Sequence, residues 1–235
     1  MKANDRWCAQ SGSLFKALVL CVAVFNIASE SADAQRLSAY GGIGIDYYRA
    51  NSITNFLNSN GIGTVTPGAF TSSVQFHVGA GYAVTTGWEV GVEYAYLINS
   101  FSGNNSLGSQ QVSLSYSLPY ITVRRLIKYD GYSFRFGGGF GYHFGGVSVS
   151  SPYSNKAQDF FASGFGLKLD GSLDTKLDEK LYARIGTQIM TEFIGQPKAA
   201  NGTPLTYTDF NSGSQTPVNM NLFGVGVSLG LVYYF

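Results

Sequence analysis

The sequence predicts an all-β chain, a transmembrane antiparallel up-and-down β-barrel of eight strands. Three observations predict it. From Ser38 onward, segment after segment alternates apolar and polar residues with a period of two rather than 3.6. The connections between these segments alternate between tight turns and long polar stretches. The last segment, Asn219 to Phe235 (NMNLFGVGVSLGLVYYF), keeps its alternation to the final aromatic residue. It is far longer than the usual strand of about five or six residues. It suits a bilayer crossing, for which about nine to eleven tilted residues suffice.

The chain opens with Lys2, Arg6 and Lys16, followed by an apolar stretch from Ala17 to Ile27 and by Ala32-Asp33-Ala34 before Gln35. This is the charged, apolar and A-x-A layout of a cleaved secretory leader. The expected division is a leader over 1–34 and a barrel domain over 35–235. Cys21 raises a lipoprotein leader as the competitor, but the bulky Leu20 before it does not suit a lipidation site. Cleavage after Ala34 removes both cysteines, Cys8 and Cys21, so a disulfide is not expected despite export to an oxidising compartment. A formal charge of +1 argues against nucleic acid as a partner. Charged residues make up only 12%, aromatics reach 15%, and there are 30 glycines, against about a quarter charged in ordinary soluble domains.

In order, the first strand, Ser38–Tyr48, sets Ala39, Ile43, Ile45 and Tyr47 against Tyr40, Gly42, Gly44 and Asp46. The second, Ser73–Thr85, sets Val74, Phe76, Val78, Ala80, Tyr82 and Val84 against Gln75, His77, Gly79 and Gly81. The third, Trp88–Ile98, opposes Trp88, Val90, Val92, Tyr94, Tyr96 and Ile98 to Glu89, Gly91, Glu93 and Ala95. In the fourth, Gln111–Ile127, Val112, Leu114, Tyr116, Leu118 and Tyr120 alternate with serines until Pro119, Ile121 and Val123 disturb the polar face. Proline donates no ladder hydrogen bond, so a bulge or phase shift is expected there. The fifth, Tyr132–Phe144, opposes Phe134, Phe136, Phe140 and Tyr142 to Ser133, Arg135, Gly137, Gly139, Gly141 and His143. The sixth, Ala162–Lys176, opposes Phe165, Leu167, Leu169 and Leu173 to Lys168, Asp170, Ser172 and Asp174. The seventh, Lys180–Phe193, opposes Leu181, Ala183, Ile185, Ile189 and Phe193 to Arg184, Gln188 and Glu192. The closing strand makes eight.

The tight turns are 85–87, 128–131 and 177–179. Residues 49–72, 99–110, 145–161 and 195–218 read as long loops rich in Asn, Ser, Gly and Thr. Short turns at one end and long loops at the other place both termini on the periplasmic side of an outer membrane. Turning Lys168, Asp170 and Asp174 toward lipid would cost about 2–4 kcal/mol for a midplane base and less for an acid, so the charged faces belong to the lumen. An eight-stranded lumen is only wide enough to be filled by side chains. The expected lumen charge network is therefore Asp46, Glu89, Glu93, Arg135, Lys168, Asp170, Asp174, Arg184 and Glu192, with Asp174 nearly opposite Arg184 across the turn at 177–180.

The closing residues Ser228-Leu229-Gly230-Leu231-Val232-Tyr233-Tyr234-Phe235 read polar, any, glycine, two of any, aromatic, any, aromatic. In this motif, and in strand number over the whole predicted barrel domain, the chain resembles the eight-stranded outer-membrane barrels typified by the transmembrane domain of outer-membrane protein A and the opacity-type surface antigens. The resemblance implies that Ser228, Gly230, Tyr233 and Phe235 form an assembly signal read by the barrel-assembly machinery. The peptidoglycan-binding domain that follows many such barrels is not expected here.

Two histidines lie on expected lumen faces, His77 and His143. A catalytic role would need a nucleophile or carboxylate within hydrogen-bond reach, and Glu93 could approach His77. Packed lumen histidines are the simpler expectation. The inner-face glycines fit no phosphate-binding fingerprint and are expected to make room for Arg135, Tyr40 and Tyr234. Trp88, Tyr96, Tyr132, Phe144 and Phe193 are expected at the two membrane interfaces as girdles. The functional expectation is a monomeric, non-enzymatic, porin-like barrel or surface antigen of a Gram-negative outer membrane, without a cofactor or bound metal. Its expected partners are membrane lipid and lipopolysaccharide, the assembly machinery, and a host or cell-surface ligand met through the loops. A narrow channel for small or apolar solutes is the alternative, and a lipid-modifying enzyme the third.

Overall fold

The computed structural model describes residues 36–62, 71–105, 108–150, 157–209 and 213–235. The expected leader, with Cys8 and Cys21, lies outside the described residues. The chain forms β1 (Leu37–Arg49), α1 (Asn51–Ser59), β2 (Thr71–Thr85), β3 (Trp88–Asn105), β4 (Gly108–Lys128), β5 (Tyr132–Ser150), β6 (Gln158–Lys176) and β7 (Leu181–Ile194). Three short strands follow, β8 (Lys198–Ala199), β9 (Thr206–Thr208) and β10 (Gln215–Pro217), and then the closing strand β11 (Leu222–Tyr234).

Eight long strands pair antiparallel with their neighbours in sequence, and β1 pairs with both β2 and β11, which closes the barrel. Closure matters because an open edge in hydrocarbon would leave backbone groups unpaired. Ala39 lies opposite Tyr233, and Tyr47 opposite Val225. At the short-turn end, Gly131 takes φ 81°, a conformation that favours glycine, as the chain turns from β4 into β5.

Apolar side chains clothe the outer wall. Leu169 and Leu229 are 66% and 62% exposed, and Ile43, Val78, Val92, Ile121 and Ile185 also face outward. Outward Tyr82, Trp88, Tyr129, Tyr132, Tyr233 and Phe235 ring the short-turn end. Tyr47, Tyr96, Phe144, Phe165, Phe193 and Phe223 form a second ring. Between Phe134 and Phe144, β5 advances about 33 Å at roughly 3.3 Å per residue. At the usual tilt that corresponds to about 25 Å along the bilayer normal, the height of a transmembrane apolar band. A wall with this band and these two girdles spans a membrane.

Three expectations need correction. Alternation along β4 runs unbroken: even-numbered residues from Val112 to Leu126 face inward throughout. Ser117 pairs with Phe144 and Ile121 with Phe140, so the register is the same on either side of Pro119 and there is no bulge. What changes at Pro119 is the polarity of the faces. Second, residues 99–110 and 145–161 are not simply loops. Asn99–Asn105 and Gly108–Gln110 continue the β3–β4 hairpin, and most of the described part of 145–161 continues β5 and β6 above the membrane band. Third, 49–72 contains α1, and 195–218 contains β8, β9 and β10.

These last two segments fold inward. Ile53, Phe56 and Leu57 recur at helical spacing along α1 and are buried. With Leu205, Val218 and Met220 they pack over Leu97, Val112, Leu114, Tyr116, Val147 and Ile194. The loop-end half of the interior is thus an apolar core capped by a helix.

Candidate functional site: the lumen and its charge network

Below that core the lumen is charged. Nearest the short-turn end, Arg184 on β7 meets Asp174 on β6 through two hydrogen bonds, Nε to Oδ1 at 2.7 Å and Nη2 to Oδ2 at 3.1 Å. The two residues sit directly opposite in the ladder. Arg135 on β5 lies 3.4 Å from the same Asp174 and 3.6 Å from Glu89 on β3, and donates to the Tyr234 hydroxyl. Ser38 donates to Glu89 at 3.3 Å.

One layer up, Arg124 on β4 is the hub. Its Nη2 contacts Glu93 at 2.6 Å and Asp170 at 2.5 Å, and its Nη1 donates to the Tyr40 hydroxyl at 2.6 Å. Tyr40 in turn donates to Glu93 at 3.0 Å. Lys168 bonds Glu93 and lies 3.0 Å from Asp170. The Tyr40 ring packs between two guanidiniums, with Arg184 at 4.3 Å and Arg124 at 5.3 Å from its centroid. Arg135 over Tyr234 and Lys168 over Tyr120 repeat this cation–π contact. Each base in the network therefore meets at least one carboxylate and one ring face. That arrangement suits buried ions, whose desolvation must be offset by good geometry and extra hydrogen bonds.

Higher still, Gln188 donates to Asp46 at 2.8 Å, and Tyr120 donates to Glu192 at 2.7 Å. His143 sits against Glu192 through Nδ1 and donates from Nε2 to the Pro119 carbonyl at 3.1 Å.

All nine residues named from the sequence as the lumen network therefore point inward, and eight of them are buried, Asp170 being half-buried. The sequence reading omitted Arg124. The dipeptide Arg124-Arg125 on an alternating strand must send one base inward and the other outward, a signal masked by the expected phase shift at Pro119. Arg125 does face outward, with its guanidinium 5.5 Å from the Trp88 ring at the short-turn girdle. The five predicted girdle residues, Trp88, Tyr96, Tyr132, Phe144 and Phe193, all face outward. The glycine expectation holds for Tyr40, whose ring occupies the place of a Cβ at Gly79, while the side chains of Arg135 and Tyr234 are not among the nearest neighbours of any described glycine. Carboxylates and both histidines are also given room: a Cβ at Gly81, Gly226 or Gly166 would collide with Glu89, Asp46 or Glu192, and one at Gly42 or Gly141 with His77 or His143.

The remaining space beside the hub is a cavity of about 40 Å³ lined by Tyr40, His77, Glu93, Arg124, Lys168 and Arg184 among others. A water needs roughly 10–15 Å³ in this measure, so the space admits a few waters and no larger solute. Chemically the lumen can hold charge and water in fixed places. His143 is in hydrogen-bond contact with Glu192 and Pro119, not with a serine or other nucleophile, and His77 borders the small cavity. Among the described residues no cluster of three or more His, Cys, Asp or Glu could hold a metal ion. Of the carboxy-terminal motif, Tyr233 and Phe235 face outward in the short-turn girdle, and Gly230 lies against the Gly41 backbone of β1 too closely for a Cβ.

No protein-family model and no curated protein matches the chain. Among solved structures, the chain is similar to Ail, the attachment invasion locus protein of Yersinia pestis, crystallised with the heparin analogue sucrose octasulfate. Identity is 12% over 85% of this chain and 97% of that one, with a TM-score of 0.49. Neisserial surface protein A aligns at 11% identity over 86% of this chain and 99% of its own, with a TM-score of 0.48. A major outer membrane protein from Thermus thermophilus aligns at 14% identity over 85% and 99%, with a TM-score of 0.49. These are distant likenesses of fold, and the barrel architecture rests on the pairing of the chain's own strands.

Proposed function

We propose that the chain is a closed, non-enzymatic barrel of a Gram-negative outer membrane, with a structural or surface-interaction role. The carrying observation is that the interior is occupied along its length, by the ion network below and the α1-capped apolar core above. In planar bilayers the folded protein is expected to give no stable open state; a steady, large conductance would refute the closed barrel. The orientation proposed has both termini periplasmic and the tall β3–β6 wall outside the cell. Ser148→Cys is then expected to react with a membrane-impermeant maleimide on intact cells, while Asp178→Cys in the short turn does not. The reverse pattern would invert the orientation.

A narrow channel for small or apolar solutes is the second reading, favoured by one feature. The upper lumen is apolar, and its cap includes the short helix α1, joined to the segments beside it by the hydrogen bonds of Asn55 to Tyr207 at 3.3 Å and of the Asn219 backbone to Ser52 at 3.0 Å. If α1 is a moving lid, bridging Asn55→Cys and Tyr207→Cys with a cleavable bis-maleimide should abolish any solute flux, and cleaving the linker should restore it.

A further inference from the structure

At the loop end, on the outer side of the rim, α1, the β9–β10 hairpin and the ends of β7 and β11 border an open cleft of about 540 Å³. That is within the roughly 300–1,000 Å³ of small-molecule sites. Its polar lining carries four amides, Asn51, Asn55, Asn219 and Asn221, joined by the hydroxyls of Ser52, Thr191 and Thr216. Its apolar lining combines the aromatic rings of Phe193, Tyr207 and Phe223 with Pro217 and Leu222. Arg49 is the one base on the lining, and its Nε donates to Asn51 Oδ1 at 2.9 Å. Glu192 is the one acid, and its two oxygens are engaged by Tyr120 and His143.

We propose that this cleft binds a saccharide. The hydrogen bonds within it leave complementary groups side by side. Asn55 donates to Tyr207 and keeps its carbonyl oxygen as an acceptor. Asn219 accepts from the Asn221 backbone and keeps its amide NH₂ as a donor. Ser52 accepts from the Asn219 backbone at 3.0 Å and keeps its own hydroxyl hydrogen. Adjacent donors and acceptors match the vicinal hydroxyls of a sugar, each of which both gives and takes a hydrogen bond. Aromatic rings offer the apolar faces on which the C–H side of a pyranose packs. A phosphate-dense ligand would call for several bases where the lining has one. An apolar ligand would strip water from the amides without replacing their hydrogen bonds.

Phe193 and Phe223 belong to the upper girdle, so the cleft opens at the level of the lipid headgroups. The sugar could come from the headgroup of a glycolipid in the same leaflet or from a soluble glycan. This inference builds on the surface-interaction reading and does not require a closed lumen.

The test is calorimetric titration of protein refolded into detergent micelles free of lipopolysaccharide. One arm adds rough-type lipopolysaccharide, the other the core oligosaccharide released from it by mild acid. Saturable binding in at least one arm is expected, weakened tenfold or more by the double substitution Asn51→Ala and Asn221→Ala, and separately by Asn55→Ala. Arg125→Gln, in the girdle at the opposite end of the barrel, should leave it within about threefold. Binding of the lipid-linked form alone assigns the ligand to the leaflet; binding of both assigns it to the sugar itself. Absence of saturable binding in both arms overturns the proposal. So does binding indifferent to the asparagine substitutions, or weakened as much by Arg125→Gln as by them. Retention of the compact, heat-modifiable form on gels shows that each variant is folded. The asparagine variants should also keep the wild-type bilayer trace, so failure here and failure of the closed-lumen reading give different results.

Discussion

The two halves of this barrel are built inside out relative to each other. In the membrane half, Leu169, Ile121 and Phe136 face outward while Arg124, Lys168 and Asp170 face in. In the loop-end half, Gln111, Ser113, Ser115 and Ser148 face outward while Val112, Leu114, Tyr116 and Val147 are buried. The same strands, β4 and β5, run through both halves without a break in register. The solvent outside the wall, not the strand, therefore decides which face carries which chemistry. In hydrocarbon, polar groups are driven into the lumen and must satisfy one another. Above the bilayer the wall meets water, and the interior becomes an ordinary apolar core. The interior is thus filled in two ways, by ions in one half and by hydrophobic burial in the other.

The largest expected effect comes from removing the hub of the ionic half. Arg124→Met leaves Glu93 and Asp170 with Lys168 as their remaining base and the Tyr40 hydroxyl without its donor. Breaking a buried network by deleting one partner typically costs about 3–5 kcal/mol. Urea unfolding in lipid vesicles should show a loss of that size. A loss under about 1 kcal/mol, the scale of an exposed ion pair, would mean that the carboxylates find other partners and that the network is not what holds this half.

In the apolar half the comparable deletion is Leu118→Ala. Leu118 is fully buried, and such truncations cost about 2–5 kcal/mol depending on how far the site collapses. The distinguishing measurement is salt dependence. Raising ionic strength should leave the Leu118→Ala penalty unchanged. A penalty that moves strongly with salt would put this layer in the charged half.

A paired substitution probes the outer wall. Leu169→Arg places a base against hydrocarbon and should cost about 2–4 kcal/mol if it lies near the midplane. Ser115→Arg, outward on β4 above the girdle, should cost within about 0.5 kcal/mol, as surface substitutions do. Equal penalties at the two positions would erase the boundary between bilayer and water.

Much of this was legible in the sequence because alternation reports facing directly. Eight strands, the closing partner of Ser38–Tyr48 and the inward set Asp46, Glu89, Glu93 and Arg135 follow from period two alone. What escaped detection follows from one assumption, that a strand keeps one apolar face along its whole length. Under it, Leu114, Tyr116 and Leu118 belonged outside, and the arrival of Ile121 and Val123 on the opposite face demanded a phase shift. Arg124 was lost with that shift. The helix α1 escaped for a different reason. Ile53, Phe56 and Leu57 are only three apolar residues among Asn, Ser and Thr, too few for periodicity to speak, and its Ala50 N-cap makes no side-chain capping bond. Its stability comes from docking over the apolar half, a tertiary term that a local reading does not see. The amide-lined cleft needed the fold itself, since Asn55 and Asn221 are far apart in sequence and meet only at the rim.

The smallest expected effect is at Pro119, where the polarity of β4 changes sides. A proline at a boundary invites the view that it causes the boundary. The register argues otherwise, because Ser117 and Ile121 keep the same alignment with β5 across it. Pro119 pairs with Tyr94 on β3, and its carbonyl accepts the His143 Nε2 bond. Pro119→Ala keeps that carbonyl and returns a backbone donor to the ladder, worth about 0.5–1.5 kcal/mol if the bond forms. Unfolding should therefore be unchanged or shifted slightly toward stability. Cysteine-scanning with a lipid-quenched fluorophore along odd positions 113 to 123, omitting 119, should give the same water-to-lipid transition in both proteins. A transition that moves with the proline would make it the determinant. A transition that stays fixed leaves the membrane surface as the element that divides the barrel.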